Sequence, residues 1–259
     1  MFPPSANGSA QVTNPLHSLW VAIGFLTRIP VGDVTRGGRT EVDMARAVPW
    51  FPVVGAAIGA ISGGVYLLAD EILNVRVAAA IAVGVSLLIT GAFHHDGLAD
   101  IADAFGGGWT VERRMEILKD SRLGTYGTAA LCMALLTEVL AISELKGGEA
   151  FSAILVAHSL GRAMALAAMI LAPAAGDGMG ADYMARLSPV GVLAGVLFAV
   201  AITAVFAPVF PLAVIGVAAI PAIATVALSI RKIGGISGDV LGAVTVLSGI
   251  AVLVVSGAT

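Results

Sequence analysis

A chain of 259 residues, 58% of them hydrophobic and only 12% charged, with a mean hydropathy of +0.96, is not an ordinary soluble domain, since those carry about 25% charged residues. The formal net charge of −3 offers no basic field for nucleic acid, which excludes that class of partner. One cysteine, Cys132, stands in an apolar run and reads as a small buried hydrophobe, so no disulfide framework is implied.

Residues 1–15 are rich in Pro, Gly and Ser and free of Lys and Arg. They lack the basic start of a secretory signal and read as a short disordered tail. Residues 16–259 read as a single transmembrane domain. A spanning helix needs about 20 mostly apolar residues, because lipid offers its backbone no hydrogen-bond partners. Segments 48–69, 77–95, 128–143, 150–173 and 239–257 meet that requirement. Segment 16–31 is shorter and carries Arg28, so it either spans or lies in the interface. The run 189–230 is twice the required length and divides at Pro208 and Pro211, where proline removes a helix hydrogen bond. The predicted fold is therefore all-α: a polytopic membrane helix bundle of eight spans, or seven, with one long Asp-rich loop over 94–127.

With eight spans, one side of the membrane receives Arg36, Arg39, Arg46, Arg113, Arg114, Lys119, Arg122, Arg186, Arg231 and Lys232, and the other only Arg76 and Lys146. The positive-inside rule then places both termini outside and loops 32–47, 94–127, 174–188 and 231–238 in the cytoplasm. Gly55, Gly59 and Gly63 repeat every four residues, which lets membrane helices approach closely, within one chain or between copies of a homo-oligomer.

The chemistry is concentrated in Gly91–Gly127, which reads GAFHHDGLADIADAFGGGWTVERRMEILKDSRLGTYG. Asp96, Asp100 and Asp103 fall within roughly 60° of one another on a helix face. Three carboxylates on one face repel unless a cation neutralises them, and such hard oxygen ligands suit Mg²⁺ or Mn²⁺. Ionisable groups at a membrane edge are costly and mark function. Arg113, Arg114, Lys119 and Arg122 offer cations for phosphate groups, and Asp120 a further metal ligand. His94 and His95 adjoin Asp96, where an imidazole could act as general base; neighbouring residues diverge on a helix, so one of the two faces the site. His158 and Arg162 share a face of one span, as a buried polar pair or as lining of the site. In GGISGDVLGA (234–243) the glycines would let backbone approach a ligand, and Asp239 is a site residue or a helix N-cap. Carboxylates holding Mg²⁺ with Arg and Lys nearby are the equipment of phosphoryl transfer. A transporter, the other reading, would more naturally place its acids at the bilayer midplane on broken, repeated helices.

FLTRIP (25–30), WFPVVGAAIGAISG (50–63), GAFHHDGLADIADAFGGG (91–108), ILKDSRLGTYG (117–127) and GGISGDVLGA (234–243) occur in an order that resembles the cobalamin synthase family, the adenosylcobinamide-GDP ribazoletransferases. The resemblance implies a bacterial inner-membrane enzyme of cobalamin biosynthesis. It would join adenosylcobinamide-GDP to α-ribazole or its 5′-phosphate with Mg²⁺ and release GMP. By position it implies His94, Asp96 and Arg122 as catalytic residues and Asp96, Asp100, Asp103 and Asp120 as metal ligands. Arg28, Arg113, Arg114, Lys119, Arg162 and Asp239 are the substrate-binding candidates, and His94 or a carboxylate takes the acceptor's proton. A CDP-alcohol phosphotransferase is the alternative enzyme. Its signature, however, places Ala-Arg after the Asp-Gly, where this chain has Leu98-Ala99.

Overall fold

A computed structural model describes residues 15–32, 41–176, 182, 184–207 and 209–258. Residues 1–14 of the expected tail, Arg36, Arg39, Pro208 and part of the 174–188 loop lie outside the described residues. A short helix α1 (Pro15–Leu26) and α2 (Glu41–Ala47) lead through a single 3-10 turn into α3 (Phe51–Asp70) and α4 (Val75–Thr90). Then come α5 (Phe93–Gly107), α6 (Val111–Ile117), α7 (Thr125–Ser143) and α8 (Gly147–Leu171). The chain closes with α9 (Pro189–Phe206), α10 (Pro211–Ile233) and α11 (Gly238–Ser256).

Among the described residues six helices are long and apolar enough to cross a membrane, and α4 with α5 forms a seventh, broken candidate bent by 90°. The bundle reading therefore holds, with two corrections. Helix α1 has 12 residues, about 18 Å at 1.5 Å per residue, too short to cross a hydrocarbon core of about 30 Å. Eight crossings thus become at most seven, and with seven the start of α1 and the end of α11 fall on opposite sides. The expected continuous span 77–95 is also broken, because the chain turns at Gly91 and Ala92, both at positive φ (64° and 58°). Glycine adopts this region freely, whereas Ala92 is strained there by about 1–2 kcal/mol. Gly91 has a second reason to lack a side chain: the Arg28 guanidinium lies where its Cβ would stand.

Helix α8 is the axis of the bundle, with 72% of its span buried, while α7 has 17% buried and forms an outer wall. Cys132, on α7, is exposed rather than buried, since its helix faces outward. The glycine ridge does what its spacing predicts within one chain. Gly55 meets His158 and Arg162, Gly59 meets Ile154 and Leu155, and Gly63 meets Phe151, so α3 lies antiparallel against α8. With no hydrophobic drive between helices in lipid, such close packing and interhelical hydrogen bonds hold the bundle. Ser159 Oγ donates to the carbonyl of Pro52 (3.1 Å), and the buried Tyr66 hydroxyl donates to the carbonyl of Leu145 (2.9 Å).

Candidate active site

The stretch expected as a loop is mostly helical, and its first helix is built into the bundle. Helix α5 packs between α7 and α11, with His94, His95 and Asp103 buried. Its contact with α11 is backbone on backbone. A Cβ on Gly97 would stand 2.9 Å from the Asp239 Cα, and one on Gly242 would stand 3.0 Å from the His94 carbonyl oxygen. Gly235 is pressed in the same way against Pro173 and Ala174, beside a parallel bridge between Ala174 and Ile236. Gly235 and Gly242 therefore admit other backbone, while a Cβ on Gly234 or Gly238 would meet open space. Asp239 is not the N-cap either, for Ser237 holds that position and its Oγ accepts from the Val240 N–H.

These contacts gather carboxylates along α5, beside the starts of α7 and α11. Asp96 is exposed and Asp100 half-buried on α5, with Asp239 half-buried on α11. Asp96, Asp239 and Asp103 all lie near enough to Asp100 to act on it electrostatically. Asp103 has a different task. Its two oxygens accept from the backbone N–H groups of Gly124 (2.7 Å) and Gly127 (2.8 Å), capping α7 from another helix. Gly124 and Gly127 have no room for a Cβ because that carboxylate occupies the space. The glycines of LGTYG are thereby explained.

The basic candidates divide in the same way. The Arg28 backbone N–H donates to the Ile89 carbonyl (2.7 Å), which sets its side chain beside the start of α5. Arg113 pairs with Glu116 (2.8 Å) on the surface of α6. Arg114 donates to the carbonyls of Gly108 (3.0 Å) and Lys232 (2.9 Å), stapling α6 to the end of α10. Lys119 is exposed. Arg122 grips Asp120 through two nitrogens, Nε to Oδ1 at 2.9 Å and Nη2 to Oδ2 at 2.5 Å. Hydrogen bonds from Arg122 hold the Asp120 carboxyl down at about 2, and the same partner raises the guanidinium.

Beneath the carboxylates both histidines line the larger of two cavities. His95 Nε2 lies 3.2 Å from both oxygens of Glu138 on α7, while His94 lines cavities on both sides together with Arg162. His158 joins them in the larger of these cavities. Glu138 is the residue that the reading of the sequence passed over; a lone acid inside an apolar span is itself a signal of a buried polar partner. Among the described residues no three His, Cys, Asp or Glu side chains close around a common point. Mg²⁺, however, is commonly held by one or two carboxylates together with substrate phosphates and water. The adjacent Asp96, Asp100 and Asp239 suit that mode.

The cobalamin-5-phosphate synthase family model matches residues 18–257. Curated relatives, three of which follow, bear the name adenosylcobinamide-GDP ribazoletransferase. The protein of Ralstonia pickettii is 35% identical over 87% of this chain and 89% of its own. That of Azorhizobium caulinodans is 39% identical over 92% and 94%, and that of Bradyrhizobium diazoefficiens 35% identical over 97% of both. No solved structure matches. With the family model covering nearly the whole chain and these relatives aligned along most of it, the chain belongs to the cobalamin-5-phosphate synthase family.

Proposed function

We propose that this protein is a transferase that joins adenosylcobinamide-GDP to α-ribazole or its 5′-phosphate, giving adenosylcobalamin or its 5′-phosphate and GMP. The name of its relatives supports the substrates, and the convergence of Asp96 and Asp100 with Asp239 across α5 and α11 supports the chemistry. A ribose hydroxyl attacks the corrinoid-side phosphorus of the pyrophosphate, its proton passing to His94 or to one of the carboxylates. The bond from that phosphorus to the bridging oxygen breaks, and the oxygen leaves with GMP. Asp96 and Asp100 would hold Mg²⁺ with the pyrophosphate, supplying charge neutralisation at the phosphoryl oxygens. Arg28, beside the start of α5, and Arg122, on the surface, offset charge on the leaving group.

The carboxylate end is cytoplasmic in this reading and the membrane is the bacterial inner membrane. The distribution of cations supports this: Arg113, Arg114, Lys119, Arg122, Arg231 and Lys232 lie at that end, and Arg76 and Lys146 at the other. The reaction is tested with protein in detergent given adenosylcobinamide-GDP, α-ribazole 5′-phosphate and Mg²⁺. Metal-dependent release of GMP matched by a cobalamin product is the expected result. Turnover of a CDP-alcohol substrate, with no corrinoid product, would replace this reading.

A further inference from the structure

Arg162 is a cation sealed inside the bundle without a counter-ion. It is 2% exposed on α8. One guanidinium nitrogen donates to the His158 carbonyl (2.8 Å) and lies 3.3 Å from His158 Nδ1, but the buried Nε has no partner. None of the ion pairs among the described residues includes it. Glu138, which lines the larger of the two cavities that touch Arg162, is engaged with His95. A buried charge left unpaired is strongly unfavourable, and in a membrane it marks a ligand or a conduction path. Arg113, Arg114 and Arg122 each have acceptors already, so their donors do not share this condition.

A cavity of about 40 Å³ lies against Arg162, walled by Phe25, Phe51, Phe93 and Leu241, with Gly238 also in its lining. It has room for about three water-sized oxygens. Asp239 follows Gly238 directly, so a group bound at Arg162 lies close beneath the carboxylate cluster. We propose that this cavity binds the 5′-phosphate of the ribazole acceptor, with Arg162 as its counter-charge, and so sets a preference for phosphorylated over unphosphorylated ribazole. The inference rests on the acceptor assigned above. The phosphate neutralises the buried guanidinium and takes the free Nε–H. The Phe walls exclude water and strengthen that pairing. The ribose then extends toward Asp239 and the α5 carboxylates, where its hydroxyl is needed.

The test is equilibrium binding to the full-length protein in detergent, read without turnover. Wild type should bind α-ribazole 5′-phosphate about tenfold or more tightly than α-ribazole, the effect of one charge-assisted interaction. Arg162→Gln should bring that ratio close to one, and Arg162→Lys should retain part of it. Inorganic phosphate should compete with the phosphorylated ligand and not with the unphosphorylated one. Equal affinities in wild type would overturn the inference, as would a ratio unchanged in Arg162→Gln. Should Arg162→Gln not fold, the wild-type ratio, the phosphate competition and Arg162→Lys still decide. Phosphatidic acid binding at Arg162 in place of α-ribazole 5′-phosphate would assign the site to lipid and overturn it too. Preferential binding without any corrinoid product would sink the transferase reading while leaving this phosphate site standing.

Discussion

Gly97 and Asp239 meet backbone to backbone, with no room for a Cβ, which would stand 2.9 Å from both the Cα and the carbonyl oxygen of Asp239. This single crossing sets how far Asp96 on α5 stands from Asp239 on α11. Gly97→Ala must push the two helices apart, with an overpacking cost of about 1–3 kcal/mol. The transition state depends on carboxylate spacing, so turnover should fall further than the loss of folded protein explains. Thermal unfolding in detergent beside the transfer assay measures both. Gly84→Ala on α4, where a Cβ meets open space, is the matched comparison. It should be neutral or stabilising by up to about 1 kcal/mol.

Asp103 is a structural carboxylate in this account, although it shares its helix face with two that belong to the site. Asp103→Ala strips acceptors from two N–H groups at the start of α7, which should destabilise the fold by about 2–3 kcal/mol. Asp103→Asn keeps one acceptor and should lose about half of that. Denaturant unfolding of the two variants gives the comparison; equal stability with wild type would put Asp103 back among the metal ligands.

The Asp120–Arg122 pair titrates outside the working range. With its carboxyl held at about 2, the folded state gains stability above the ordinary aspartate value near 3.9 and loses it as pH falls toward 2. Both side chains are exposed, at 36% and 87%, so the gain is small. In Arg122→Ala the Asp120 carboxyl should return to about 4, observable by carboxyl-carbon NMR as a shift of the titration midpoint. A midpoint that stays near 2 would mean another cation holds it.

Sidedness has its own check. In a Cys132→Ser background, a cysteine placed at Lys119 should react with a membrane-impermeant maleimide in inverted vesicles and be protected in intact cells. A cysteine at Arg76 should show the opposite pattern. Labelling of both from the same side would contradict the helix order that separates the two ends.

Much of this fold is legible in composition, because membrane spans are read from length and apolarity, which do not depend on tertiary contacts. The Gly55, Gly59 and Gly63 ridge is legible for the same reason, its period being that of the helix. The break at Gly91–Ala92 is not. The run 77–95 stays apolar through it, and a positive φ at an alanine is imposed by the packing of α5 rather than signalled by the residue. The carboxylate cluster is visible as residue types, but spacing along one helix cannot separate Asp100, which faces Asp96 and Asp239, from Asp103, whose partners lie 21 and 24 residues away. The same holds for the cations. Arg114 resembles a phosphate ligand in sequence, yet its acceptors are carbonyls, one of them on Lys232, 118 residues distant.

If Asp96, Asp100 and Asp239 form one reaction centre for corrinoid transfer, each must be needed for turnover. The most direct test is the rate of GMP release coupled to cobalamin product in Asp96→Asn, Asp100→Asn and Asp239→Asn, each compared with wild type at matched folded concentration. Loss of about a hundredfold or more in each, the scale seen when transition-state charge stabilisation is removed, is the predicted result. Near-wild-type rates in Asp96→Asn or Asp100→Asn, with the protein folded and inserted, would contradict it.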